Sequence, residues 1–149
     1  MLLAGELCIR RVVTAERDEN VVDAARRMLE ENVGDLVVVQ YVGDQVKPVG
    51  LVTDRDLVMG ALARGTPDAF TLRVRDVMSD VVTAFDDEDV SAVLATLQRH
   101  KIRRLPIIDR DGSLLGILSL DDLVSWIREQ LDRAAAVIEH QVGFAAGAP

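Results

Sequence analysis

Aromatic side chains are scarce in this chain, at 3% of its 149 residues. Its core must therefore come from the aliphatic residues that dominate a hydrophobic content of 49%. One cysteine, Cys8, excludes an internal disulfide framework and reads as a small core residue in a reducing compartment. Positive charge is also in deficit: 17 basic against 25 acidic residues give a net charge of −8. That balance argues against DNA or RNA as a partner, whose affinity comes largely from phosphate neutralisation, and against an anionic membrane surface. No run approaches the ~18 apolar residues of a membrane span. Met1-Leu2-Leu3-Ala4-Gly5-Glu6 has neither the basic segment nor the apolar stretch of a signal peptide. A cytoplasmic protein is the expectation.

Catalytic patterns are missing as well. His100 and His140 stand without cysteines or paired acids at metal-ligand spacing, and no nucleophile–base–orienter set or phosphate-cradling Gly-x-x-x-x-Gly-Lys loop occurs. The acidic run Asp86-Asp87-Glu88-Asp89 lacks EF-hand spacing and reads as a helix start. The expectation is no enzyme, no metal and no required cofactor.

What the chain does have is a phrase written twice. Gly50-Leu51-Val52-Thr53-Asp54-Arg55-Asp56-Leu57 returns as Gly116-Ile117-Leu118-Ser119-Leu120-Asp121-Asp122-Leu123. Upstream of it, Val12-Val13-Thr14-Ala15 matches Val81-Val82-Thr83-Ala84, and Asp18-Glu19-Asn20-Val21 matches Asp87-Glu88-Asp89-Val90. Val33 to Val39 lies on Ile102 to Ile108 in the same register, 69 positions apart (102 − 33). The offset then falls to 66 (116 − 50), which puts three extra residues in the Tyr41–Pro48 loop, where insertions are tolerated.

Each copy has the same grammar. Val12–Thr14 and Val81–Thr83 predict short strands. Val21, Ala24, Ala25, Met28 and Val90, Val93, Leu94, Leu97 recur at i, i+3, i+4, i+7 and predict amphipathic helices. Leu36–Tyr41 with Val46–Val52, and Leu105–Ile108 with Leu114–Leu118, predict buried hairpins around Gly-Asp and Asp-Gly turns. A second helix follows, over roughly Asp54–Arg64 and from Asp121 onward. The fold class is therefore α/β, as two pseudo-symmetric β-α-β-β-α units over residues 5–65 and 70–130. Gly65-Thr66-Pro67-Asp68 reads as the linker between them. Residues 131–149 read as a helix extension, striped by Leu131, Ile138 and Val142, with a fraying tail over Gly143–Pro149. Units of roughly 60 residues would be marginal alone and should pack on each other.

The repeated Thr53-x-x-Asp56 and Ser119-x-x-Asp122 admit two readings. As a capping box, the hydroxyl accepts from the N3 amide while the acid reaches back to the N-cap amide. As a ligand site, the same strand–helix joint offers free amides to an anion, a hydroxyl that donates to phosphate, and a carboxylate suited to a ribose diol. Gly50 and Gly116 would let backbone approach closely.

The tandem unit, the Gly-h-h-[Ser/Thr]-x-x-Asp signature (h for apolar), Arg104-Leu105-Pro106-Ile107-Ile108-Asp109 and the approach segment Val74-Arg75-Asp76-Val77-Met78-Ser79 together resemble CBS domains. Gly5–Arg10 occupies the corresponding place before the first unit. The resemblance covers about residues 5–130 and implies a stand-alone CBS pair, a Bateman module. It further implies regulation by an adenosine-type ligand such as AMP, ADP or ATP, or by S-adenosylmethionine or NAD, in clefts between the units. By position, Asp56 and Asp122 would hold ribose hydroxyls, Thr53 and Ser119 would contact the phosphate region, and backbone around Val13-Thr14 and Val82-Thr83 would border adenine. Arg103 and Arg104 are candidate phosphate contacts, or else part of a solvated helix end where cations offset the macrodipole; Arg55 is a second candidate, or else an exposed helix residue. Gly34-Asp35 stand where the second unit has Arg103-Arg104, so two used sites would be unequal. A homodimer formed through the helices and an unidentified regulated protein are the expected partners. The alternative is a non-nucleotide-binding interaction module in which both motifs are only helix caps.

Overall fold

The structure, a computed structural model, describes residues 1–65 and 67–147, the last five of these by their backbone alone. Thr66 of the expected linker, and Ala148 and Pro149 of the expected tail, lie outside the described residues.

Each unit forms one three-stranded sheet. In the first, β1 (Thr14–Glu16) runs parallel to β2 (Asp35–Val42), which pairs antiparallel with β3 (Gln45–Thr53). In the second, β4 (Ala84–Phe85), β5 (Arg104–Ile108) and β6 (Leu114–Ser119) repeat the order. A parallel pair needs a crossover, and the amphipathic helices α2 (Val21–Glu31) and α5 (Val90–His100) supply it. Helix α3 (Asp54–Gly60) follows β3, and α6 (Leu120–Gly147) follows β6. The β-α-β-β-α order thus occurs twice, as read. Both hairpins also carry an irregularity at the same repeat position, between Val38 and Val39 and between Ile107 and Ile108.

Three details differ from the sequence expectation. The first strands begin about two residues late, because only Thr14–Glu16 and Ala84–Phe85 find ladder partners on the neighbouring strand. Val12, Val13, Val81 and Val82 instead lie half-buried ahead of the strands. The buried stripe of each crossover helix is narrower than predicted: Val21, Ala24, Met28 and Val90, Val93, Leu97 are buried, whereas Ala25 and Leu94 face solvent. Each helix covers a single sheet face, and the i, i+3, i+7 row is enough for that. Helix α3 stops at Gly60; Ala61, a core residue at φ −118°, caps it, and Leu62–Arg64 form a separate 3₁₀ turn. At the other end, α6 runs unbroken to Gly147.

The segments that precede each unit in sequence pack on the opposite unit. Helix α1 (Ala4–Leu7) lies on the second sheet: the Gly5 amide donates to Asp86 O at 2.9 Å, and Ile9 exchanges backbone hydrogen bonds with Ile117. Helix α4 (Val74–Val77) lies on the first: the Val74 amide donates to Glu19 O at 2.9 Å, and Ser79 exchanges backbone bonds with Leu51. Ala4 is accordingly a core residue of the second unit, and Val74 of the first.

These crossings pass the two glycines of the repeated phrase. A Cβ at Gly116 would sit 2.7 Å from Ile9 O and 2.7 Å from Cys8 Sγ; at Gly50 it would sit 2.8 Å from Met78 Sδ and 3.1 Å from Ser79 O. Gly116→Val is therefore expected to lower stability by about 1–3 kcal/mol, the usual cost of overpacking, read as a lower urea midpoint. A midpoint equal to wild type would show that the segment does not cross there.

Candidate functional site

Both repeated motifs form the reciprocal cap. In the first, the Asp56 amide donates to Thr53 Oγ1 at 3.0 Å, and the Thr53 amide donates to Asp56 Oδ2 at 2.9 Å. In the second, the Asp122 amide donates to Ser119 Oγ at 3.1 Å, and the Ser119 amide donates to Asp122 Oδ2 at 3.0 Å. The two caps differ in one bond. Ser119 Oγ also donates to Asp122 Oδ2, at 2.6 Å, whereas Thr53 Oγ1 acts only as an acceptor among the described residues. Thr53 thus keeps its hydroxyl proton for another partner. In both boxes the cap engages Oδ2, and Oδ1 takes no hydrogen bond from the described residues.

The first motif opens onto a cleft between the units. One lobe, of about 170 Å³, is lined by Leu51, Thr53 and Asp56 from the first unit, and by Ser79–Val82, Ile102, Arg104 and Pro106 from the second. A larger lobe of about 530 Å³ shares Leu51, Thr53, Ile102 and Arg104 with it, and adds Gly34, Asp35, Asp54, Arg55, Lys101 and Arg103. The larger lobe alone falls in the range of small-molecule sites, about 300–1,000 Å³. The smaller lobe combines the apolar Leu51, Val81, Val82, Ile102 and Pro106 with the hydroxyl residues Thr53 and Ser79, the carboxylates Asp56 and Asp80, and Arg104. The larger carries four cationic and two acidic side chains, a surplus of positive charge in an acidic protein.

Of the residues singled out from sequence, Thr53, Asp56, Val82, Arg55, Arg103 and Arg104 meet in this cleft. Thr83 lies just before β4 and is not among the lining residues. Val13 and Thr14 line a different cavity, of about 360 Å³, at the outer edge of the first sheet with Arg11, Glu19, Arg27, Glu31 and Tyr41. There Arg27 donates to Thr14 O at 2.7 Å and pairs with Glu19, and Arg11 pairs with Glu31. Ser119 and Asp122 line none of these cavities.

Sequence reasoning did not place Asp35, Asp54, Ser79 or Asp80 in the cleft. Asp35 had a signal: it occupies the repeat position of Arg104. In the structure these two equivalent residues meet across the unit boundary, with Arg104 Nε 2.8 Å from Asp35 Oδ2. Asp35 is the more enclosed partner, its side chain 12% exposed against 35% for Arg104. Burial lifts the Asp35 carboxyl above the ordinary carboxylate value; the Arg104 charge opposes that rise, and Asp54 adds to it. Arg103 is engaged too, with Nη2 3.2 Å from Asp121 Oδ1. Arg55 stands at the repeat position of Asp121, on the exposed first turn of α3.

A family model described as CBS domain matches the chain twice, over residues 4–62 and 74–129. An uncharacterised protein of Methanopyrus kandleri is 34% identical over 87% of this chain and 68% of its own length. The hexameric CBS-CP12 protein from bloom-forming cyanobacteria is 32% identical over 83% of this chain and 66% of its own, with a TM-score of 0.70. The chain thus spans about two thirds of the length of each, by those coverages of 68% and 66%. A CBS domain protein of Pyrobaculum aerophilum, solved in complex with AMP, aligns over 82% of this chain and 90% of its own at a TM-score of 0.72; at 24% identity it is a likeness of fold.

A raised carboxyl pKa means that the folded chain holds the Asp35 proton more readily than the unfolded chain does. The Asp35 contribution to stability is therefore fully present at acid pH and is lost as pH rises through the elevated pKa. Asp35→Asn removes the ionisation. It is expected to be at least as stable as wild type at pH 7, with the difference narrowing as pH falls toward 4 in denaturant titrations. A variant clearly less stable than wild type at pH 7 would show that the Arg104 attraction outweighs desolvation.

Proposed function

The chain belongs to the CBS-domain family as a tandem pair, and from that premise we propose that it is a regulatory module that binds an adenosine nucleotide between its two units. The observation that carries this reading is the convergence, in one cleft, of Thr53 and Asp56 from one unit with Val82, Pro106 and Arg104 from the other. Asp56 Oδ1, outside the cap, suits a ribose hydroxyl, and the Thr53 hydroxyl suits a phosphate oxygen. The aliphatic wall suits a base, and the cations of the larger lobe suit phosphates. AMP, found with the Pyrobaculum neighbour, defines the first ligand class to test.

In this reading the chain acts by binding, with no catalytic step of its own. A ligand touching both units favours whichever arrangement of the two it binds better, and a regulated protein reads the shift. One cleft is favoured over two equivalent ones, since Ser119 spends its hydroxyl on Asp122 and its joint lines none of the cavities above.

A second reading has its own support: both motifs are completed capping boxes, so helix starting accounts for them without a ligand. Asp56→Asn separates the two, because asparagine keeps an oxygen for the Thr53 amide and loses the carboxylate. A nucleotide at 100 times its Kd should add about 2.7 kcal/mol to stability. The expected outcome is a thermal shift with AMP, ADP or ATP that is strongly reduced in Asp56→Asn, whose ligand-free melting stays near wild type. No shift in wild type with any of the three at millimolar concentration leaves only the capping reading.

The module is further read as a homodimer through its helices. Helix α6 exposes Ile127, Leu131, Ile138 and Val142 at 43–65% along one stripe, and α3 exposes Val58 and Met59. Apolar rows of that length are normally covered. Leu131→Glu with Ile138→Glu is expected to halve the mass measured by light scattering. An unchanged mass would remove α6 from the interface.

A further inference from the structure

Asp35 and Arg104 are the same position of the repeat, and they lie on the boundary where the two units meet. Had both kept one charge, like would face like there. Instead one copy is acidic and the other basic, and they close an ion pair inside the cleft, where both line the larger lobe. Among the described residues, the charged groups that line that lobe with Asp35 come from two places: Asp54 and Arg55 open α3, and Lys101, Arg103 and Arg104 run from the end of α5 into β5. Arg103 is held by Asp121, outside the lobe. Among the described residues Arg104 is the one cation that lines both lobes, and it is held by an acid from the opposite unit.

We propose that the Asp35–Arg104 pair is a ligand-displaced latch: an anionic group entering the larger lobe takes Arg104 from Asp35 and so undoes a charged tie between the units. The latch makes Asp35 a specificity residue as well. A ligand with no phosphate leaves the pair closed and gains nothing from Arg104. A phosphate chain must compete with Asp35, and its reward rises with the number of anionic oxygens it offers the guanidinium. The displaced carboxylate is left enclosed and without its cation, which is a costly state. The unit arrangement that hydrates Asp35 is then favoured, and this couples the charge of the ligand to the packing of the two units.

The latch deepens the nucleotide reading and is tested so that the two can fail separately. Binding of ATP, adenosine and inorganic triphosphate is measured by calorimetry for wild type, Asp35→Asn and Arg104→Met. In Asp35→Asn the ATP-to-adenosine affinity ratio is expected to rise about tenfold, because the competing charge is gone. In Arg104→Met the ratio should fall below the wild-type value. Circular dichroism of both variants checks that they fold. An ATP-to-adenosine ratio equal in wild type and Asp35→Asn overturns the latch and leaves nucleotide binding standing. Triphosphate binding that tightens in Asp35→Asn, without any adenosine binding, supports the latch and overturns the nucleotide reading. No binding of any of the three overturns both.

Discussion

The backbone crossings at Gly50 and Gly116 hold the two units together. At each, a segment belonging in sequence to one unit lies against the sheet of the other, close enough that a methyl group would collide with a carbonyl oxygen or a sulfur atom. The exchange hands Ala4 to one core and Val74 to the other, so neither unit completes its interior without its neighbour's leading segment. Two units too small to be comfortable alone become one packed body. It also carries Ser79 to Val82 past the end of β3, which builds a wall of the cleft opposite Thr53 and Asp56.

Within that near-symmetric frame, the two units differ at a few positions. The two caps share their geometry but not their hydroxyl protons: Ser119 donates to its own aspartate, and Thr53 does not. The two residues at the boundary are opposite in charge, so that a place of mutual repulsion becomes a bond between units. One joint consequently faces a cleft rich in cations, whereas its counterpart lines none of the cavities described. The two units share a frame and differ at Thr53 against Ser119 and at Asp35 against Arg104.

Local features were legible in the residues because their causes are local. The helices α2 and α5 follow from apolar spacing, with Asn20 and Asp89 as side-chain caps that accept from the amides two residues on. The hairpins follow from two apolar runs around a tight turn. The capping boxes follow from a hydroxyl and an acid three positions apart. The strands start later than Val12 and Val81 because β-branched residues are also suited to a half-buried wall, and only the presence of a ladder partner separates the two outcomes. The end of α3 at Ala61 is equally hidden, since that residue is buried in a core that no window of sequence contains.

The repeat, the order of its elements, its helix caps and the acid-for-base exchange between positions 35 and 104 can all be read along the chain. Each of these is carried by neighbours along the chain or by one copy laid on the other. Tertiary structure alone decided which unit each leading segment joins, which joint opens onto the cleft, and that Asp35 and Arg104 touch. Those outcomes depend on how the two sheets pack together, and the packing energy is shared among residues far apart in the chain. Positions 35 and 104 meet only once the two units have packed.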